Sequence, residues 1–148
     1  MEKLKFSIEI AAPRAKVWET MLDDATYREW TAPFAPGSHY VGDWNEGSKI
    51  LFLGPGENGP GGMVSRIRTN RPHEYLSIEH LGMVENGKED TSSEKVKAWA
   101  GAREDYTFRD AGEKTELLVE MDSNEEHKEM FESMWPKALQ RLKELSEE

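Results

Sequence analysis

The stretch SNEEHKEMFESMWPKALQRLKEL, Ser123 to Leu145, predicts a long amphipathic helix near the C-terminal end of the chain. Ser123 followed three residues later by Glu126 is a capping-box pattern, in which each side chain satisfies a backbone amide of the first turn. The helix is therefore expected to begin near Asn124. Apolar residues then recur at three- and four-residue spacing, which makes one broad side apolar. The members of this stripe are Phe131, Met134, Trp135, Ala138, Leu142 and Leu145.

Pro136 lies inside this pattern and has no backbone amide to donate to the carbonyl of Glu132. Its ring also crowds that carbonyl, which favours a kink between Glu132 and Pro136 over a clean break. Because the apolar stripe resumes after the proline, the pattern predicts one bent helix.

The sequence before this helix predicts seven strands and two short helices. Apolar and polar residues alternate from Lys3 to Ile10, as in a strand with one buried face. The spacing then predicts helices over Arg14 to Leu22, after Pro13, and over Asp24 to Trp30. The other strands are expected around residues 38–43, 49–53, 63–69, 76–81, 104–109 and 115–121. The order is β-α-α-β-β-β-β-β-β-α, and a sheet that wraps the last helix favours a pocket between them.

Two stretches predict no regular structure. Gly54 to Gly62 is so rich in Gly and Pro that it is expected to be the loop of a hairpin. Its letters satisfy G-x-G-x-x-G, but a dinucleotide site needs that motif between a strand and a helix, so nucleotide binding is not expected. Val84 to Lys97 is polar, with Asn86-Gly87 as a turn signal, and is interpreted as a mobile excursion.

Composition bounds the class of protein. The 148 residues suit one domain, 1–148, with a real core, because five Trp, four Tyr and five Phe supply apolar bulk. A net charge of -10 repels a nucleic-acid backbone or an anionic membrane surface, so neither is an expected partner. There is no cysteine, no apolar stretch long enough to span a membrane and no signal-peptide pattern, so the expected location is the cytoplasm.

Four segments carry a resemblance to a known family: IAAPRAKVW (Ile10 to Trp18), YREW (Tyr27 to Trp30), EDYTF (Glu104 to Phe108) and MWPKAL (Met134 to Leu139). With the element order, they resemble the START/Bet v 1-like (SRPBCC) superfamily, and within it the branch named after the activator of Hsp90 ATPase. The resemblance covers nearly the whole chain. It implies an α+β helix-grip fold, a curved antiparallel sheet wrapped around a long C-terminal helix with two short helices after the first strand. In many relatives the cavity holds a lipid, sterol, polyketide or flavonoid-like molecule.

Motifs for catalysis are missing from the sequence. The four histidines, His39, His73, His80 and His127, show no metal-ligand spacing, and no serine lies in a G-x-S-x-G elbow. We therefore expect no catalytic residue, no metal and no cofactor. His80 shares the inward parity of Leu76 and Ile78, so it is either a ligand contact or a histidine paired with a neighbouring polar group.

Large apolar and aromatic residues are the most informative feature. They exceed what a small curved sheet needs, and a ligand pocket is lined by such residues with a few polar ones. A filled core is the alternative, since each buried aromatic stabilises the fold. Trp18 is expected to pack the first helix on the sheet. The predicted ligand-binding residues are Trp30, Phe34, Trp44, Phe52, Met63, Ile78, His80, Trp99, Tyr106, Met121, Met134 and Trp135.

We interpret the chain as a small soluble protein that binds an apolar or aromatic molecule, lipid, polyketide or isoprenoid-like, between the sheet and the last helix. His80, Tyr106 and Trp44 are expected to orient it. One alternative is a modulator of an Hsp90-type chaperone ATPase, with the chaperone as partner. The other is a polyketide cyclase-like enzyme that uses a cavity His or Tyr. The expected assembly is a monomer or a weak dimer.

Overall fold

An antiparallel sheet of eight strands organises the protein. The computed structural model describes residues 2–34, 36–56, 59–123 and 125–148, without the side chains of Glu125 and Glu126. The strands are β1 (Glu2–Ile10), β2 (His39–Gly42), β3 (Lys49–Gly54), β4 (Gly61–Arg71), β5 (Tyr75–Glu85), β6 (Lys88–Asp90), β7 (Arg103–Ala111) and β8 (Lys114–Ser123). The helices are α1 (Arg14–Leu22), α2 (Asp24–Trp30), α3 (Glu94–Lys97) and α4 (Glu125–Ser146). None of these described helices is long and apolar enough to span a membrane.

The strands follow the spatial order β1-β8-β7-β5-β4-β3-β2, and β6 pairs with the far end of β5. Every pairing is antiparallel, so short hairpins connect most neighbours. In β8, alternate residues from Thr115 to Ser123 are buried, and the residues between them are partly exposed. This period of two places one apolar face on the concave side of the curved sheet.

The helix α4 lies against that concave face and packs on β1, α1 and α2. Its buried residues, Trp135, Ala138, Leu139, Leu142 and Leu145, belong to the same core cluster as those of β1, β7 and β8. The helix continues through Pro136, which confirms the prediction of one helix. This arrangement is the helix-grip fold, so the predicted fold class is confirmed. The capping box depends on the Glu126 side chain and the predicted start depends on Asn124, so both predictions fall outside the described residues.

The segment after Val84 corrects the prediction. It contains regular structure, because β6 pairs with β5 and α3 follows. The described residues therefore form eight strands instead of the predicted seven, and four helices instead of three. Asn86 and Gly87 both have positive φ, 54° and 77°, as a two-residue hairpin turn requires. Ser93 caps α3 by accepting from the Val96 amide, and Val96 is fully buried. A buried valine and a cap therefore fix a segment that is polar by composition.

The other predicted elements are present, with ends within two residues, apart from β5, which is longer than predicted and extends to Glu85. Gly54 and Gly61 pair in register where β3 and β4 meet, so the predicted loop is the tip of a hairpin. Trp18 packs on Phe108 of β7, with ring centroids 5.3 Å apart, as expected for a residue that joins α1 to the sheet.

Substitution of Gly62 by Ala tests the close approach of β3 and β4. A Cβ there would lie 1.8 Å from the carbonyl oxygen of Phe52, at a φ of +153°. We expect Gly62→Ala to lower the free energy of unfolding in urea by about 2–4 kcal/mol, since the backbone itself must shift. Gly47 is the matched control, because its φ is also positive, +88°, and a Cβ added there would meet nothing within 4 Å. Equal losses in Gly62→Ala and Gly47→Ala would contradict the steric argument.

Candidate functional site

A cavity of about 720 Å³ lies between the concave face of the sheet and α4. Such a volume falls within the range of roughly 300–1,000 Å³ that is typical of small-molecule sites. Its walls come from the C-terminal end of α1, from α2, β3, β4, β5, β7 and β8, from the N-terminal half of α4, and from the segments around Trp44 and Trp99. Most of the wall is apolar or aromatic. The sheet and α4 therefore leave room between them instead of closing into a filled core.

Eleven of the twelve predicted ligand-binding residues lie around this cavity. Met134 does not, since it is half-buried on α4 and Trp135, its neighbour, is the residue that reaches the wall. Whether the eleven bind a ligand stays a prediction. They are Trp30, Phe34, Trp44, Phe52, Met63, Ile78, His80, Trp99, Tyr106, Met121 and Trp135.

Trp135 is the centre of the aromatic wall. Its ring lies 5.0 Å from Phe34, 5.9 Å from Phe6 and 6.1 Å from Tyr106, measured between ring centroids. The residue is only 3% exposed, and its indole N–H has no hydrogen-bond partner among the described residues. A buried unpaired donor costs about 1–3 kcal/mol, which an acceptor on a bound molecule would recover.

Two other indole donors of the cavity wall, those of Trp30 and Trp44, are already used. Trp30 Nε1 donates to the carbonyl of Met21 over 3.0 Å, and Trp44 Nε1 donates to that of Leu22 over 3.2 Å. The Tyr40 hydroxyl also donates to Leu22, over 2.8 Å. These carbonyls belong to the last turn of α1, where a helix leaves its carbonyls without internal partners. Trp44 therefore fixes α1 to the sheet. Its N–H is not available to orient a ligand, which differs from the role that the sequence predicts.

One polar cluster interrupts the apolar wall. Glu104 and Tyr106 point to the same face of β7, and the Tyr106 hydroxyl donates to Glu104 Oε2. His80 Nε2 lies 3.4 Å from Glu104 Oε1, and His80 Nδ1 lies 2.7 Å from Ser65 Oγ. The cluster satisfies His80 through neighbours while His80 still lines the cavity. His80 is thus paired with neighbouring polar groups, and its contact with a ligand stays a prediction.

The two buried phenols of the site are held neutral. Burial raises the pKa of Tyr106 well above its ordinary value, and the adjacent charge and hydrogen bond of Glu104 raise it further. Burial also raises the pKa of Tyr27, again with the charge of Glu104 as the next cause. Burial is the larger cause for both phenols, and the Glu104 charge adds to it because a second negative charge nearby is unfavourable.

Residues 11–147 match the protein family described as Activator of Hsp90 ATPase homolog 1-like protein. The chain belongs to this family. The solution structure of the Aha1 dimer from Colwellia psychrerythraea is similar at 15% identity and a TM-score of 0.73, over 99% of this chain and 97% of that one. Protein NE0264 from Nitrosomonas europaea is similar at 17% identity and a TM-score of 0.74, over 97% and 92%. At these identities the similarity shows the fold alone. No curated protein matches the sequence.

In this family member, hydrogen bonds connect Ser65, His80 and Glu104 in the order of a nucleophile, a base and an acid. The geometry does not support nucleophilic catalysis by this series. Ser65 is fully buried and does not line the cavity. No substrate in the cavity could reach its hydroxyl, so Ser65 holds His80 in place. Among the described residues, no three His, Asp or Glu side chains come together as a metal site.

Sequence reasoning missed Glu104, a charged group of the wall. The available signal was its parity with Tyr106, since residues two apart on a strand share a face. It also missed apolar wall residues that only the fold brings in, because α1, α2, β3, β5 and the first turns of α4 converge from distant parts of the chain. These include Met21, Tyr27, Leu53, Leu76, Met83, Met130 and Phe131.

Alkaline titration of tyrosine absorbance tests the burial of the two phenols. Because the pKa values of Tyr106 and Tyr27 are raised, both should stay neutral in the folded protein near pH 11, above the ordinary value of about 10. We expect Tyr106→Phe and Tyr27→Phe to leave the tyrosinate absorbance of the folded protein unchanged.

The unfolded protein in urea is the control, since either variant should there lose about a quarter of the signal of the four tyrosines. Because the pKa values of the two phenols are raised in the folded state, their contribution to the free energy of unfolding is complete below the unfolded pKa of about 10. That contribution is lost as pH rises towards the pKa values of the folded protein. A quarter loss in the folded state of either variant would contradict the burial of that phenol.

Proposed function

We propose that the protein binds an apolar or aromatic small molecule in the cavity between the sheet and α4, as a soluble cytoplasmic protein. The observation that carries this proposal is the cavity of about 720 Å³, whose wall is mainly aromatic and aliphatic. A core built only for stability would fill such a space, because each void costs packing energy. Lipid, polyketide and isoprenoid-like molecules are the ligand classes that the shape and polarity favour.

Burial of apolar surface supplies the affinity. Each Å² of ligand surface removed from water contributes about 25 cal/mol, before the costs of association are subtracted. Methionines at 21, 63, 83, 121 and 130 line the cavity, and their flexible side chains adapt to different shapes. The Trp135 N–H, which lacks a partner among the described residues, gives the wall a donor for a ligand oxygen.

The polar cluster supports binding better than catalysis. A general acid works best with a pKa near the operating pH, whereas the pKa of Tyr106 is raised well above its ordinary value. Tyr106 is thus a poor proton donor to a substrate and a good fixed donor to Glu104. This argues against the cyclase-like alternative as far as Tyr106 is concerned.

Family membership favours a second candidate function. The family is described as Activator of Hsp90 ATPase homolog 1-like protein, so we propose modulation of an Hsp90-type chaperone as the alternative. An Aha1 structure that is similar to this chain is a dimer, and we extend that to a weak dimer here. The ATPase rate of an Hsp90-type chaperone, measured with and without this protein, tests the candidate. An unchanged rate together with no binding in solution removes it.

Filling the cavity tests the binding proposal. Met63 is half-buried on β4 and lines the cavity, so Met63→Trp should occupy space that a ligand needs. With n-decanol as a neutral apolar probe and tryptophan fluorescence or calorimetry as the readout, we expect the affinity to fall at least about tenfold.

Val41→Trp is the matched control, because Val41 is 52% exposed on β2 and does not line the cavity. That variant should bind the probe like the unchanged protein. Equal affinity in Met63→Trp and the unchanged protein would contradict binding in this cavity. Amide chemical shifts centred on Trp30, Trp99, Tyr106 and Trp135 would locate the probe independently.

A further inference from the structure

Glu104 places a carboxylate in the apolar wall of the cavity. Its side chain is only 19% exposed. Among the described residues its one partner of opposite charge is His80, at 3.4 Å, which is charged only when protonated. Tyr106 donates a hydrogen bond to the same carboxylate. A carboxylate offers about four acceptor positions, so two donors leave capacity for a group on a ligand.

The other charged groups of the wall do not neutralise this one. Asp122 also lines the cavity and accepts the amide of Arg103 over 2.9 Å, so it adds negative charge. Lys95 is exposed at the cavity edge, and its charge contributes to lowering the pKa of Asp90. His127 lies near Phe131, with ring centroids 6.3 Å apart. The region around Glu104 is therefore acidic as well as apolar.

Aromatic rings complete this environment. Phe52 lies 6.4 Å from the His80 ring and 6.2 Å from Tyr27, between centroids, and the charge of Glu104 acts on both Tyr27 and Tyr106. The faces of aromatic rings carry partial negative charge and attract cations. A carboxylate beside several such rings in a sparsely solvated wall is a complementary surface for an organic cation.

We propose that the ligand is an apolar molecule that carries a protonated amine, and that the ammonium group binds Glu104. The inference rests on the proposed function and names the class of molecule that the same cavity holds. An ammonium forms a charge-assisted hydrogen bond with the carboxylate and offsets the cost of burying it. A fatty-acid carboxylate would instead place a second negative charge beside Glu104, and the two like charges would repel each other.

Three probes with one apolar chain test this: n-decylammonium, n-decanol and n-decanoate, each below its micelle concentration. They differ only in the head group and its charge. On the unchanged protein we expect decylammonium to bind at least about tenfold more tightly than decanol, and decanoate to bind most weakly. This comparison requires no variant and so does not depend on how a mutant folds.

Glu104→Gln then assigns the preference to one side chain. The amide keeps an acceptor for Tyr106, so the variant should fold, and the decylammonium preference over decanol should fall to about threefold or less. Any change in the affinity for decanol should be smaller than the change in the affinity for decylammonium. Glu116→Gln is the matched control, because it removes the same charge from a residue that pairs with Arg109 and does not line the cavity. It should keep the full preference.

The outcomes separate the two proposals. If decanol binds and decylammonium shows no preference, or if the preference survives Glu104→Gln, the amine inference is overturned while the binding cavity stands. If none of the three probes binds, the proposed function fails and the inference fails with it. If the preference for decylammonium is lost in Glu104→Gln and kept in Glu116→Gln, the result supports both the binding proposal and the amine inference.

Discussion

The fold depends on the burial of the apolar side of α4 against the concave face of the sheet. Leu142 and Ala138 are fully buried there, and each buried Leu or Ile side chain contributes about 1.5–3 kcal/mol relative to exposure. A sheet can cover a helix in this way only when it curves and leaves the helix on one side. The short helices α1 and α2 then close the remaining flank, since both pack on α4.

The same constraint creates the cavity. The second half of α4 packs tightly, with Ala138, Leu139 and Leu142 all buried, whereas the first half presents His127, Met130 and Phe131 to open space. Trp135 lies at the boundary between the two halves and contacts rings from both sides. The packed core and the open cavity thus occupy different halves of one helix.

The polar cluster shows how a carboxylate can persist in such a wall. Each member is held by the next, from Ser65 through His80 and Glu104 to Tyr106. A buried carboxylate is tolerated because donors surround it, and its charge in turn keeps the nearby phenols neutral. The cluster thus fixes the polarity of this part of the wall.

Periodicity in the sequence determined seven of the eight strands, α1, α2, the continuous α4 and most of the aromatic wall, because alternation and three- to four-residue spacing report local burial. The tertiary structure alone decided where those faces meet. It placed Trp135 and not Met134 in the wall, committed the Trp44 N–H to α1 and brought Glu104 to His80 from strands that pair only in the folded sheet. It also ordered the polar stretch after Val84, since one buried Val96 and a hairpin turn outweigh its composition. Such contacts join residues far apart in sequence, which local patterns do not report.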